Sequence, residues 1–469
     1  MFVWGAVSHM LTPLGEAGFS SMPPAGEPAV TAALAANVPD EGLYMFPGMD
    51  ERARTTKEGQ EEWMRRYAAG PSGLLVYHPD AIEEVLVTRS RDFIKSPGVR
   101  LLARVLGNGI FLSEGGVWLR QRRLVQPAFH RQRVLAYGEV MTTYTARRLA
   151  GWKDGDVLDA HAEMIALTQV IVAKTLFDAD VSDESYSIAE ALNILIEDFG
   201  ARLGSVLQFL PDWVPTPANL RTRRAVRRLD EVVYRMIAAR RQSGEDRGDL
   251  LSILLDAQDA DDGSRMTPQQ VRDEAMTLFM AGHETTAVAL SWTWYLLAQH
   301  PEIDARLADE LRAVLGGRAP TAADLPRLKY AEMIVSESMR LYPPAYAIGR
   351  QAARATEVSG HSLPRGVIVI LPAWVVHRDR RWFEDPGAFR PERWAGDLAR
   401  RLPRFAYFPF GGGPRQCIGN AFALMEAVLI LATIAQRFRL TMEPGQRVTP
   451  TPYVTLRPEP GLHMRLERR

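Results

Sequence analysis

The chain has 469 residues, 46% of them hydrophobic and 24% charged, and its 56 basic and 56 acidic side chains balance to a net charge of zero. This composition describes a globular protein with ample core, and its neutrality gives no global electrostatic footprint for nucleic acid. A single cysteine, Cys417, excludes a disulfide scaffold and any multi-cysteine metal site, and suits the reducing cytoplasm expected to house the protein.

Residues 1–38, rich in Ala, Pro and Gly, read as a leader, either partly disordered or an added extension, ahead of one domain over 39–469. Residues 1–7 are apolar, but Ser8, His9, Thr12, Pro13 and Glu16 follow. That is far short of the roughly 20 apolar residues a membrane span needs. The first basic residue is Arg52, so the n-region of a secretory signal is missing and no transmembrane anchor is expected. Leu74-Leu75-Val76-Tyr77 reads as a short buried strand. Between Trp118 and Arg133 stand Arg120, Arg122, Arg123 and Arg131 with no acid. A solvated basic face and a docking patch for an acidic electron donor are equal alternatives there. Over 221–241, Val226, Leu229, Val233 and Ile237 share one helical face and eight arginines occupy much of the rest. A solvated face is favoured over a surface for acidic lipid or a partner.

Thr267-Pro268 is a good N-cap and first-turn pair, and no proline follows until Pro301. This predicts a helix of about 50 Å at a rise of about 1.5 Å per residue. Helices are also predicted over 301–315, 330–341 and 421–438, with a buried strand over 367–371. The class is therefore mainly α with a small β region.

Several segments carry chemistry. Ala281-Gly282-His283-Glu284-Thr285-Thr286 puts two threonines mid-helix, where propensity disfavours them. The His-Glu pair would suit a zinc protease only with a second histidine at 287, which is Ala. Glu337 and Arg340, at i, i+3, share a helical face and can pair, although an exposed pair carries little weight. Trp118 and Arg122, at i, i+4, also share a face, and guanidinium suits carboxylate. Around Cys417, the glycines of 410–419 permit a tight turn. The helix after them sets the sulfur near a helix N-terminus, which favours thiolate. A lone thiolate suits the axial position of a haem iron; the alternative for a free cysteine is a buried structural place. No dinucleotide fingerprint, nucleophile elbow or phosphate loop accompanies these motifs.

Together the segments resemble the cytochrome P450 family, over residues 40–465. Phe410, Gly413, Arg415, Cys417 and Gly419 match its haem-loop pattern Phe-x-x-Gly-x-Arg-x-Cys-x-Gly. Residues 281–286 match its oxygen-activation motif, Glu337 to Arg340 its Glu-x-x-Arg, 389–394 the downstream element, and Trp118 to Arg122 its Trp-x-x-x-Arg. The resemblance implies the P450 fold as a single haem domain, with haem b ligated by Cys417. It places Phe410, Gly411, Gly419 and Ala281 among the cofactor-binding residues, and Arg415, Trp118, Arg122 and Arg350 as partners of the propionates. Gly282 would let haem and dioxygen approach the backbone, Thr285 would hydrogen-bond the activated oxygen, and Glu284 would feed protons through water. Glu337, Arg340 and Arg393 are implied as a structural network rather than catalytic groups.

The implied activity is monooxygenation of a hydrophobic substrate, leaning to fatty acids or terpenoids. Electrons from NAD(P)H would arrive through a separate ferredoxin or flavodoxin with its reductase, because the chain ends soon after the haem domain. Pocket walls are implied at 98–111, Phe279-Met280-Ala281, Ala345-Tyr346-Ala347 and Tyr453-Val454, with a lid at 203–215. Peroxygenase and isomerase relatives tend to lose the acid–Thr pair that this chain retains, and a non-catalytic haem-thiolate sensor would not need it.

Overall fold

In the computed structural model, residues 44–46, 73–181, 184–202, 213–247, 249–256, 263, 265–396 and 398–469 are described. The 1–38 leader and residues 203–212 of the expected lid lie outside them. The longer helices, in chain order, are α1 (Gly115–Val125), α2 (Arg131–Leu149), α3 (Ala160–Phe177), α4 (Ser185–Arg202), α5 (Pro217–Ser243), α6 (Pro268–Gln299), α7 (Pro301–Leu315), α8 (Lys329–Leu341) and α9 (Asn420–Ala435).

A full capping box opens α6. Thr267 Oγ1 accepts from the Gln270 N–H at 3.2 Å, and Gln270 Oε1 accepts from the Thr267 N–H at 2.8 Å. The helix then runs without interruption until His300 and Pro301 end it. α3 packs along it most extensively, with α5, α8 and α9 around the remainder, so α6 is the axle of the core. Among the described residues no helix is long and apolar enough to cross a membrane.

Two elements differ from expectation in instructive ways. α9 stops at Ala435 instead of Phe438, because Phe438 begins a strand, Phe438–Met442, that pairs with His463–Arg468. On α5, Leu229, Val233 and Ile237 are buried as expected, but so is one of the eight arginines. Arg240 forks onto both carboxylate oxygens of Asp249 beneath the helix, so the basic stripe is not wholly solvated.

The main sheet has five strands: β1 (Tyr44–Phe46), β2 (Gly73–Leu75), β3 (Phe93–Lys95), β4 (Ile348–Ala352) and β5 (Ile368–Leu371). Their order is β1-β2-β5-β4-β3, with only β2 and β5 parallel. The register sets Lys95 directly opposite Arg350. Like charges facing across a ladder are destabilising, and both residues are buried. That juxtaposition favours an anion nearby.

Candidate active site

The cysteine loop is held by backbone bonds. The Cys417 N–H donates to the Phe410 carbonyl at 3.0 Å, and the Gln416 N–H to the Gly413 carbonyl at 3.1 Å. Gly411 and Gly413 adopt φ of 68° and 66°, which side chains resist. At Gly413 a Cβ would also stand 1.9 Å from the Leu86 carbonyl oxygen. Cys417 keeps accessible surface although protein encloses it on most sides. Burial pushes its thiol up, against the opposing pull of the Gly419 N–H and the Arg122 guanidinium. The expected preference for thiolate is thus not supplied by the protein alone, since α9 begins three residues later at Asn420. A bound metal cation reverses that balance.

Beneath this loop lies the network around Glu337. Its carboxylate is fully buried and accepts from Arg340 Nε (2.9 Å) and Nη2 (2.8 Å), Arg393 Nε (2.8 Å), Trp394 Nε1 (2.9 Å) and the Arg390 N–H (3.0 Å). Arg340 also donates to the His377 and Pro386 carbonyls at 2.8 and 2.7 Å. His377 Nε2 accepts from the Phe408 N–H at 2.9 Å, and the Tyr407 hydroxyl donates to the Ser336 carbonyl. Glu337, Arg340 and Arg393 are therefore wired to the segment that leads into Phe410 and Cys417.

A second cluster is unbalanced in charge. Lys95, Arg350 and Arg415 influence one another, and Glu114 is the carboxylate facing them. Arg415 pairs with Glu114, donates to the Ser113 carbonyl at 2.8 Å, and lies 4.1 Å over the Trp118 ring. Arg350 donates to the Gly349 carbonyl at 3.1 Å, and the Lys95 ammonium lies 4.4 Å over the Phe111 ring. Burial, with Arg350 and Arg415, drives Lys95 well below its ordinary value, and burial lowers Arg350 to about 10. Three basic side chains against one carboxylate in a desolvated place suit a ligand that carries carboxylates. Arg122 adds its positive charge beside Arg415. Its Nη1 donates to the Gln416 carbonyl at 2.9 Å, on the cysteine side.

The third component is the middle of α6. From Val271 to Trp294 the accessible positions are Met280, Ala281, Gly282 and Thr285; the rest of that stretch is buried. An accessible strip inside a buried helix is the wall of a recess. Thr285 Oγ1 donates to the Ala281 carbonyl at 2.8 Å. At Gly282, on this strip, a Cβ would sit 3.0 Å from Val172 Cγ2 on α3. The glycine is needed by helix packing, reinforced where Thr168 Oγ1 donates to the His283 carbonyl at 3.0 Å. Glu284 points away from the strip. Arg457 grips it with Nε to Oε1 at 2.7 Å and Nη2 to Oε2 at 2.8 Å, and the Thr455 hydroxyl adds 2.8 Å. Burial alone would raise this carboxyl, but Arg457, helped by His283 and His161, takes it down to about 2. Arg457 Nη1 also donates to Oδ1 of the exposed Asn193 at 3.0 Å.

Of the expected pocket residues, Phe279 is displaced. It is buried against Phe177 and His283, on the face of α6 turned from Ala281 and Thr285, and belongs to the core. Tyr346 does meet Tyr453, through a hydrogen bond from its hydroxyl to the Tyr453 carbonyl at 2.9 Å. Sequence reading missed Lys95, Glu114, Thr455 and Arg457. It also missed Glu426 on α9, whose buried carboxyl is pushed well above its ordinary range by burial, with Thr286 opposing. None of these stands within a recognisable local motif.

The family model for cytochrome P450 matches residues 55–465. Cyclooctatin synthase of Streptomyces melanosporofaciens is 40% identical over 81% of this chain and 83% of its own. Cyclooctat-9-en-7-ol 5-monooxygenase of the same organism is 39% identical over 80% and 82%. Pentalenene oxygenase of Streptomyces avermitilis is 36% identical over 85% and 89%. Among solved structures, the haem domain of cytochrome P450DA superposes with a TM-score of 0.77 at 26% identity, covering 90% of this chain and 95% of that one.

Proposed function

The chain belongs to the cytochrome P450 family and is a haem-thiolate monooxygenase, and from that premise we propose that its substrate is a terpenoid. The relatives named above support this substrate class, since they are terpenoid-modifying enzymes. The observation that carries the monooxygenase reading is the joint retention of Thr285 on the accessible strip and Glu284 directly behind it.

In this reading Cys417 Sγ would ligate the iron of haem b, which would supply dioxygen binding and activation. Lys95, Arg350 and Arg415 would hold its propionates, with the Trp118 ring against the Arg415 guanidinium. Arg122 holds the Gln416 carbonyl and so steadies the loop from below. The overall balance is one dioxygen, two electrons and two protons, giving one hydroxylated product and one water. Electrons originate from NAD(P)H and arrive through a ferredoxin or flavodoxin.

The residues of α6 manage the protons. The Thr285 hydroxyl holds a proton at Oγ1, now shared with the Ala281 carbonyl, and can turn it toward the recess. Glu284 cannot carry a proton at neutral pH while Arg457 holds it, because its carboxyl is depressed to about 2. Proton delivery by Glu284 therefore requires its pair with Arg457 to open, with Arg457 retaining its contact to Asn193 at the surface. The simple expectation of a freely titrating acid is replaced by a clamped one.

A spin-state titration of the ferric protein tests the substrate class. Cyclic terpenes and their alcohols should give a saturable low-to-high-spin shift, and straight-chain fatty acids a much weaker one. A shift confined to fatty acids would overturn the terpenoid assignment.

A further inference from the structure

Glu274, Thr277, Ala281 and Thr285 stand at i, i+3, i+7 and i+11 on α6, which puts them on one stripe of the helix. Ala281 and Thr285 are its accessible end. Thr277 and Glu274 lie about 12 and 16 Å from Thr285 toward the helix N-terminus, at about 1.5 Å per residue. Both are buried, at 2% and 0% exposure. Both carry an oxygen with no partner among the described residues: Oγ1 of Thr277 and Oε1 of Glu274.

Each orphan is anomalous for its setting. Thr285, Thr286 and Thr293 on the same helix all donate to their own i−4 carbonyl. Thr277 does not. The other oxygen of Glu274 accepts from the Ile110 N–H at 3.0 Å, and the neighbouring Asp273 accepts from the Asn108 N–H at 2.9 Å. The loop containing residues 107–110 thus lies over the stripe, so closely that a Cβ at Gly109 would stand 2.2 Å from Thr277 Oγ1. Burial raises the Glu274 carboxyl to about 8, aided by Asp273, so at neutral pH it is largely a neutral acid that can both donate and accept. A fold that leaves two neighbouring hydrogen-bonding groups unmet in its interior pays for it unless something completes them.

We propose that Glu274 and Thr277 form a polar subsite that receives a hydroxyl group already present on the substrate, at the end of the recess remote from Thr285. The inference rests on the terpenoid reading and sharpens it: the substrate is a terpenoid alcohol, not the bare hydrocarbon. A preceding oxygenation or hydration must then supply it.

The test compares a cyclic terpene hydrocarbon with a panel of its monoalcohols in the spin-state titration of the haem-loaded full chain. The wild type should bind at least one alcohol about tenfold more tightly than the hydrocarbon, the difference one good hydrogen bond makes. Thr277→Val and Glu274→Gln preserve shape, and the carbon monoxide spectrum checks that each variant is properly loaded. Each should weaken the alcohol severalfold and leave the hydrocarbon unchanged. Hydrocarbon binding as tight as any alcohol, or equal losses for both ligands, would overturn the subsite while leaving the terpenoid reading intact. No shift with any terpenoid would overturn both.

Discussion

The Glu284 carboxylate is gripped through both oxygens by Arg457, whose guanidinium reaches it from 173 residues further along the chain. The pair is buried, and the carboxyl lies near 2, below its unfolded value of 4.5. It therefore contributes stability in full above about pH 4.5, and that stability is lost as pH falls toward 2. Replacing Arg457 by Met strands a buried carboxylate. Urea unfolding should show a loss of about 3 kcal/mol at neutral pH. The deficit should shrink at pH 5, where the unpaired carboxyl takes up a proton. A deficit equal at both pH values would assign the effect to packing.

Lys95 should act with opposite signs in two forms of the protein. Without a ligand it is a buried amine facing Arg350 across the sheet, its charged form disfavoured by burial and by Arg350 and Arg415, so Lys95→Met should stabilise the haem-free chain. With haem bound, the same change removes a partner of the propionates, and transfer of haem to a scavenging globin should quicken severalfold. Destabilisation of the haem-free form by this substitution would contradict the charge argument.

Gly282→Ala sets two effects against each other. Alanine is favoured over glycine in a helix by about 1 kcal/mol, while a Cβ 3.0 Å from Val172 Cγ2 overpacks the contact with α3 at about 1–3 kcal/mol. The single variant should be neutral to about 2 kcal/mol less stable. Combining it with Val172→Ala should show a favourable coupling in a double-mutant cycle. Additive effects would mean the glycine is not there for packing.

Thr285→Ala should leave the carbon monoxide spectrum and substrate-induced spin shift intact, since Thr285 bonds only its own helix. The expected change is in coupling: a larger fraction of reducing equivalents should appear as hydrogen peroxide. Peroxide yield per NAD(P)H equal to wild type would remove Thr285 from proton handling.

What could be read in the chain, and what could not, follows from distance along it. Glu337 and Arg340 share a helix, and the capping box of Thr267 and Gln270 spans one turn, so local geometry determines both. The cysteine loop is likewise set by its own glycines. Arg457 has no local signature, and its role depends on a strand, Leu456–Glu459, packing beside α6. Lys95 gains its meaning from a register that pairs it with Arg350. Phe279 was misplaced because a resemblance names neighbours of the motif without saying which helical face each occupies. Gly282 was read as letting haem and dioxygen approach the backbone; that its missing side chain also makes room for Val172 on α3 depends on a partner 110 residues earlier in the chain.

Turnover under isotopically heavy dioxygen goes straight to the proposed chemistry. The haem-loaded protein, a cyclic terpenoid, a surrogate ferredoxin and its reductase with NADPH should yield a product carrying one heavy oxygen atom, and Cys417→His should abolish both this reaction and the thiolate-type carbon monoxide spectrum. Product whose new oxygen comes from water, or formation of product by the Cys417→His variant, would contradict haem-thiolate monooxygenation at this site.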